Sequence, residues 1–194
     1  LAALVFSILL VSAFSTVNYF ELYDLPISFQ LNTTELKRKY YERSRQFHPD
    51  FHTQAHTDDQ DKMLEWSSLN NQAYKTLADP DQRMRYILEL KGFLGDENKA
   101  PALPQDFLME MMDVNEALME LEFDRDEKRY FQAKEEVQNI ENQLDIEIKP
   151  FLNLEGEDAL ADEALKKIRD FYLKRRYLLR ISENLHKFAP TSEQ

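Results

Sequence analysis

His48, Pro49 and Asp50 follow one another at the end of a helix-patterned run. That run carries five basic residues, Lys37, Arg38, Lys39, Arg43 and Arg45, against the single acid Glu42. A proline fixes φ, lacks an N–H and disfavours helical geometry in the residue before it, so Pro49 ends the run. The flanking imidazole and carboxylate then have defined directions and can engage a partner's polar groups at little ordering cost. Taken alone, the trio reads first as a helix stop with solvated polar neighbours. As a catalytic acid–base pair it lacks a nucleophile, a set of oxyanion donors and a pocket. His52 and His56 lie four apart with Asp58 and Asp59 nearby. That spacing suits a metal only on a helix, and residues Phe51 to Asp59 read as a polar loop, so solvated side chains are the expectation. A third group is apolar: Leu108, Met109 and Met112 stand at i, i+1 and i+4, with Asp113 and Glu116 adjoining. Methionine adapts its shape and suits a protein-binding face. The same spacing also fits the core of a helical bundle.

The composition narrows what these groups can do. The 194 residues are 43% hydrophobic and 31% charged, sufficient for a packed fold without disulfides. No cysteine is present, which removes thiolate zinc sites, thiol nucleophiles and cysteine-bound clusters together. Only 3 glycines occur, which argues against glycine-rich phosphate loops and β-rich architecture. The formal net charge is −12, so the chain as a whole repels polyanions, and nucleic acid is excluded as a general partner.

All-α architecture is expected from the elements that must position these residues. Asn18 to Pro26 predicts a short amphipathic turn of helix stopped by its proline. Asn32 to Thr34 offer caps for a helix in which Leu36, Tyr40 and Phe47 share a face. Arg38 and Arg45 point away from that face, and Lys39 and Arg43 lie on its flank. A second long helix is expected from about Gln60 to Ala78, with Met63, Leu64, Leu69, Ala73, Tyr74 and Leu77 as its apolar face and Trp66 partly buried. Asp81 to Leu90 forms a third, with Gly92 as its stop. Residues 95–104 are polar, contain two prolines and read as a linker. Three helical segments follow: Gln105 to Glu122, Asp124 to about Phe151, and Gly156 to about Phe188. They suit a small antiparallel bundle. The domains are therefore expected at 18–94 and 105–190. Residues 1–17 are an apolar stretch shorter than the roughly 20 residues of a spanning helix and without a preceding basic residue. An incomplete or non-native leader is the favoured reading over a working anchor, and the leader leaves a membrane contact open.

The ordered set of these segments resembles a known family. "HPD" between two helices, the first of them basic, is similar to the J domain of DnaJ-type co-chaperones. "YFELYDLP" before it and "NNQAYKTLADPDQRMRYIL" after it match the other helices of that domain. The linker and "FLMEMMDVNEALMELE" resemble the HscB family, whose members are J proteins of iron–sulfur cluster assembly. The resemblance runs from Tyr19 to about Phe188. It implies a J domain joined to a three-helix bundle in an L-like shape, with no enzymatic activity, no cofactor and no metal. It implies two partners: a DnaK/HscA-type chaperone, whose ATPase is stimulated, and an IscU-like scaffold protein. The chaperone-binding residues it implies are His48, Pro49 and Asp50 with Lys37, Arg38, Lys39, Arg43 and Arg45. The scaffold-binding residues are Leu108, Met109, Met112, Asp113 and Glu116, together with Tyr177. One departure stands out. Many J domains carry basic residues seven and six positions before the motif histidine, where this chain has Tyr41 and Glu42. A cytoplasmic location is the expectation, or the mitochondrial matrix in a eukaryote. The rival readings are a J protein for other clients, membrane-tethered through the leader, and a non-catalytic helical interaction scaffold.

Overall fold

The computed structural model describes residues 18–47, 57–95 and 103–190, without the side chains of 57–60. Among them every regular element is a helix. The chain divides into two compact units, one up to Ile87 and one from Leu88.

In the first unit, α1 (Tyr19–Leu22) is a single helical turn. Its N-terminus is closed by a reciprocal cap. The Asn18 side chain accepts from Phe20 and Glu21, each at 3.0 Å, and Glu21 accepts from the Asn18 N–H at 3.2 Å. Its C-terminus is closed by Asp24, which adopts φ 49°. The N–H of Asp24 reaches the Glu21 carbonyl and that of Leu25 reaches the Phe20 carbonyl, the two bonds of a left-handed helix stop. The turn therefore ends at Asp24, before the proline expected to stop it.

Helices α2 (Thr33–Phe47) and α3 (Thr57–Ala78) form an antiparallel hairpin. Pairing runs in opposite chain directions: Phe47 stacks on Trp66, Ser44 meets Asn70, and Tyr40 stacks on Tyr74. Asn32 caps α2 by accepting from Thr34 and Glu35. Helix α3 begins at Thr57, three residues before the expected start, so the loop reading of Phe51 to Asp59 is too long at its end. Of the predicted apolar face of α3, Ala73 and Leu77 are buried, whereas Leu64 is exposed. Asn70 takes a core position instead.

Helix α4 (Pro80–Leu90) starts at a proline whose missing N–H costs nothing in the first turn, with Asp79 capping Asp81 and Gln82. Gly92, at φ 74°, ends it, with the Gly92 and Phe93 amides returning to Glu89 and Leu88. Buried Arg83 donates to the Phe29 carbonyl at 3.1 Å and to the Leu77 carbonyl, so it ties the 25–32 loop to the end of α3. Burial lowers its pKa from the usual guanidinium value, and Asp79 partly opposes that.

The second unit contains α5 (Gln105–Glu110), α6 (Met112–Phe123), α7 (Glu127–Leu152) and α8 (Asp162–His186), with a 3-10 turn at Asp158–Leu160. Helix α7 buries Tyr130, Ala133, Val137, Ile140, Leu144 and Ile148, a stripe at spacings of three and four. Helix α8 answers with Leu165, Ile168, Phe171, Leu178, Ile181 and Leu185. Each fully buried leucine or isoleucine in this seam contributes about 2 kcal/mol. Tyr130 and Ala133 cluster with Leu185, Ala189 and Leu121. The segment expected as one helix from Gln105 to Glu122 is two, interrupted at buried Met111.

Candidate functional site

Two surfaces carry the residues picked out by the sequence. The first is the outer side of α2. At 100° per residue, Arg38 and Arg45 fall opposite the Leu36 side and Lys37 lies a quarter-turn from it, and all three are exposed. Lys39 and Arg43 are half-buried on the flank that faces the end of α1. Arg43 donates to the Leu22 carbonyl at 3.1 Å and to the Asp24 carboxylate at 2.9 Å, and Lys39 donates to the Asp24 carbonyl at 3.2 Å. Arg38 pairs with Glu42 one turn on. The five basic residues thus separate by task. Arg43 and Lys39 hold the α1 turn against α2, while Lys37, Arg38 and Arg45 present charge outward. His48, Pro49, Asp50, His52 and His56 lie outside the described residues.

The orientation of α2 is set by a buried polar chain that sequence inspection passed over. The Tyr23 hydroxyl donates to the backbone carbonyl and side-chain oxygen of Asn70, each at 2.8 Å. The Asn70 amide then donates to Ser44 Oγ at 2.9 Å and to the Tyr40 carbonyl at 3.3 Å. One asparagine therefore binds α1, α2 and α3 together, and its polar atoms are satisfied. Burial pushes the Tyr23 phenol well above the usual tyrosine range, with Tyr40 and Tyr74 adding to the shift and Arg43 opposing it. The available signal was an asparagine at a position of the apolar α3 stripe.

The second surface is formed by α5 and α6. Leu108, Met109 and Met112 are 43%, 64% and 64% exposed, so they are surface and not bundle core. Phe107, Met111, Val114 and Leu121 supply the buried side of the same segment. Asp113 and Glu116 are exposed beside the apolar strip. Tyr177 comes from α8 to its margin, with its ring set edge-on to Phe107 at 5.8 Å. Asn115 fixes the tyrosine, donating to its hydroxyl at 3.0 Å and to the Met111 carbonyl at 2.7 Å. Arg180 lies over the Tyr177 ring at 5.2 Å. The structure therefore brings Tyr177 next to the residues on α5 and α6 with which it was grouped from sequence.

Residues 103–186 match the family described as HSCB C-terminal oligomerisation domain, and residues 19–86 match the DnaJ domain. The human iron–sulfur cluster co-chaperone protein HscB is 30% identical over 170 residues, spanning 88% of this chain and 68% of the relative. A co-chaperone protein HscB homolog from Shewanella halifaxensis is 30% identical over 156 residues, 79% of this chain and 90% of the relative. This chain belongs to the HscB family. The crystal structure of human co-chaperone protein HscB superposes with a TM-score of 0.64 at 28% identity, covering 89% of this chain and 82% of that one. Chaperone HscB from Vibrio cholerae gives 0.53 at 26% identity, covering 87% and 99%.

The protein is thus an HscB-type J-domain co-chaperone of iron–sulfur cluster assembly, from a family of co-chaperones and not of enzymes. Its J domain implies an Hsp70-type chaperone as partner. Among the described residues no group of three His, Asp or Glu side chains could hold a metal ion. Nor is any described helix long and apolar enough to cross a membrane.

Proposed function

We propose that this HscB-family protein binds an IscU-like iron–sulfur scaffold protein through the α5–α6 ridge and delivers it to a DnaK/HscA-type chaperone whose ATPase it stimulates. The observation that carries the scaffold half is the exposure of Leu108, Met109 and Met112, together with Tyr177 at their edge. A methionine-rich apolar strip beside carboxylates has the form of a recognition surface, with an apolar centre and a polar rim. The chaperone half rests on the outward cations Lys37, Arg38 and Arg45 and on the sequence His48–Pro49–Asp50 that follows them. Cations on one helix face steer an acidic partner and speed encounter, after which the motif engages.

The ATP belongs to the chaperone. The co-chaperone couples two occupancies: a scaffold bound at one unit is raised in effective concentration at a chaperone bound to the other. The test is a steady-state ATPase assay of the chaperone with and without scaffold. Wild-type protein should stimulate turnover, and scaffold should increase the stimulation. Stimulation unaltered by Asp50→Asn would remove the chaperone half of the proposal.

A further inference from the structure

The exposed apolar side chains continue beyond Met112. Met119 and Phe123 are 65% and 89% exposed on α6. Helical hydrogen bonds run through the interruption at Met111, from the Met111 amide to Phe107 and from the Asn115 amide to Met111, each at 3.0 Å. The register therefore carries from α5 into α6. At 100° per residue, Leu108, Met109, Met112, Met119 and Phe123 all fall within one sector of about 100°. The span from Leu108 to Phe123 is about 22 Å at 1.5 Å per residue. Leu108, Met109 and Met112 alone cover roughly 6 Å of axis, little of the approximately 800 Å² that each side of a stable interface contributes. Isolated exposed apolar residues are ordinary, but five share one helical face here, in two groups with exposed Glu116 between Met112 and Met119.

The charge around the strip selects its occupant. From Gln105 to Asp124 the sequence has seven carboxylates and no lysine, arginine or histidine. Asp106, Asp113 and Glu120 follow the apolar sector on one flank, and Tyr177 with Arg180 closes the other. Glu120 is paired with Arg129 at 3.0 Å. A second copy placed on this face in an antiparallel two-fold arrangement would set acid against acid. An anionic lipid surface would be repelled in the same way.

We infer that Met119 and Phe123 extend the scaffold-docking surface, and that the partner presents an apolar trough with lysine or arginine along one rim. This rests on the scaffold reading proposed above.

The experiment is calorimetric titration of the full chain with a purified IscU-type scaffold, comparing Met119→Ala/Phe123→Ala with Leu108→Ala/Met109→Ala/Met112→Ala. The distal double variant should raise Kd about tenfold, with thermal midpoint and helicity unchanged, since both residues are exposed. Replacing the same pair by lysine should raise Kd further than replacing it by glutamate. If the distal variant binds within twofold of wild type while the triple variant loses binding, the extension is overturned and the scaffold reading stands. If neither variant changes Kd, both fall. If the lysine pair binds more tightly than the glutamate pair, the basic rim is overturned. Sedimentation on the same samples tests the remaining occupant. A distal variant that loses self-association without losing scaffold affinity assigns the face to a second copy and overturns the proposal.

Discussion

The outer side of α2 and the ridge of α5–α6 are built by opposite rules. On α2 the active ingredient is charge, and much of it is already engaged within the protein: Arg43 with Asp24, Lys39 with the Asp24 carbonyl, Arg38 with Glu42. On the ridge it is apolar area, left open to solvent and bordered by acids. Exposed charge acts at a distance of about a Debye length and is screened by salt. Apolar area acts only on contact and resists dissociation. The proposed function, in which the protein engages and leaves a chaperone while holding a scaffold, suits this division.

The largest expected effect lies at the motif. Asp50→Asn or His48→Gln should return chaperone ATP turnover to its unstimulated rate while circular dichroism and scaffold affinity stay as in wild type. Loss of scaffold affinity in the same variant would erase the distinction between the two regions. Next is the ridge centre. Leu108→Ala/Met109→Ala/Met112→Ala should weaken scaffold binding by about a hundredfold or more, since clustered anchors dominate such interfaces. The same variant should melt within a degree or two of wild type. A large drop in melting temperature would mean that the three residues support the fold.

A third effect separates orientation from contact. Asn70→Leu removes the side-chain partner shared by Tyr23, Ser44 and the Tyr40 carbonyl and leaves Tyr23 only the backbone carbonyl of that residue, at a cost of about 2–4 kcal/mol. Denaturant unfolding of the full chain measures it. ATPase stimulation should fall with it, although Asn70 is buried and touches no partner, while scaffold affinity should be unchanged.

The pH response belongs to the same polar chain. Burial raises the folded pKa of Tyr23, so the folded protein holds that proton more tightly than the unfolded chain. The resulting stability is fully present below about pH 10, the value of an unfolded tyrosine, and is lost as pH rises through the higher folded value. Unfolding followed between pH 9 and pH 11, as rough bounds, should show this decline, and Tyr23→Phe should flatten it. The smallest effect is at Asp24. Asp24→Gly should be near neutral, because relief of φ 49° offsets the lost ion pair with Arg43. Asp24→Ala keeps the strain, loses the pair and should cost about 1 kcal/mol.

The sequence made periodic elements legible because their causes are local. Leu36 with Tyr40, the Asn32 cap and the Gly92 stop each act within a turn or two. The α7 and α8 segments were visible for the same reason. What stayed hidden depended on contacts distant in the chain. Asn70 reads as a polar interruption until Tyr23 and Ser44 converge on it. Arg43 reads as one more docking cation until Asp24 is found beneath it. Met119 and Phe123 were not singled out, since spacing alone does not tell which side of an amphipathic helix its neighbours cover. The one-residue interruption at Met111 also had no proline or glycine to announce it.

α1 is one turn long, far below the length at which a helix persists by itself in water. Its own ends are sealed by Asn18, Glu21 and Asp24, yet Phe20 and Leu22 require the α2–α3 hairpin, and Tyr19 requires Tyr86 of α4. It is therefore a stopper that depends on its socket. In return the Tyr23 hydroxyl meets Asn70, and Leu22 and Asp24 anchor Arg43, so loss of this one turn would loosen the hairpin it closes.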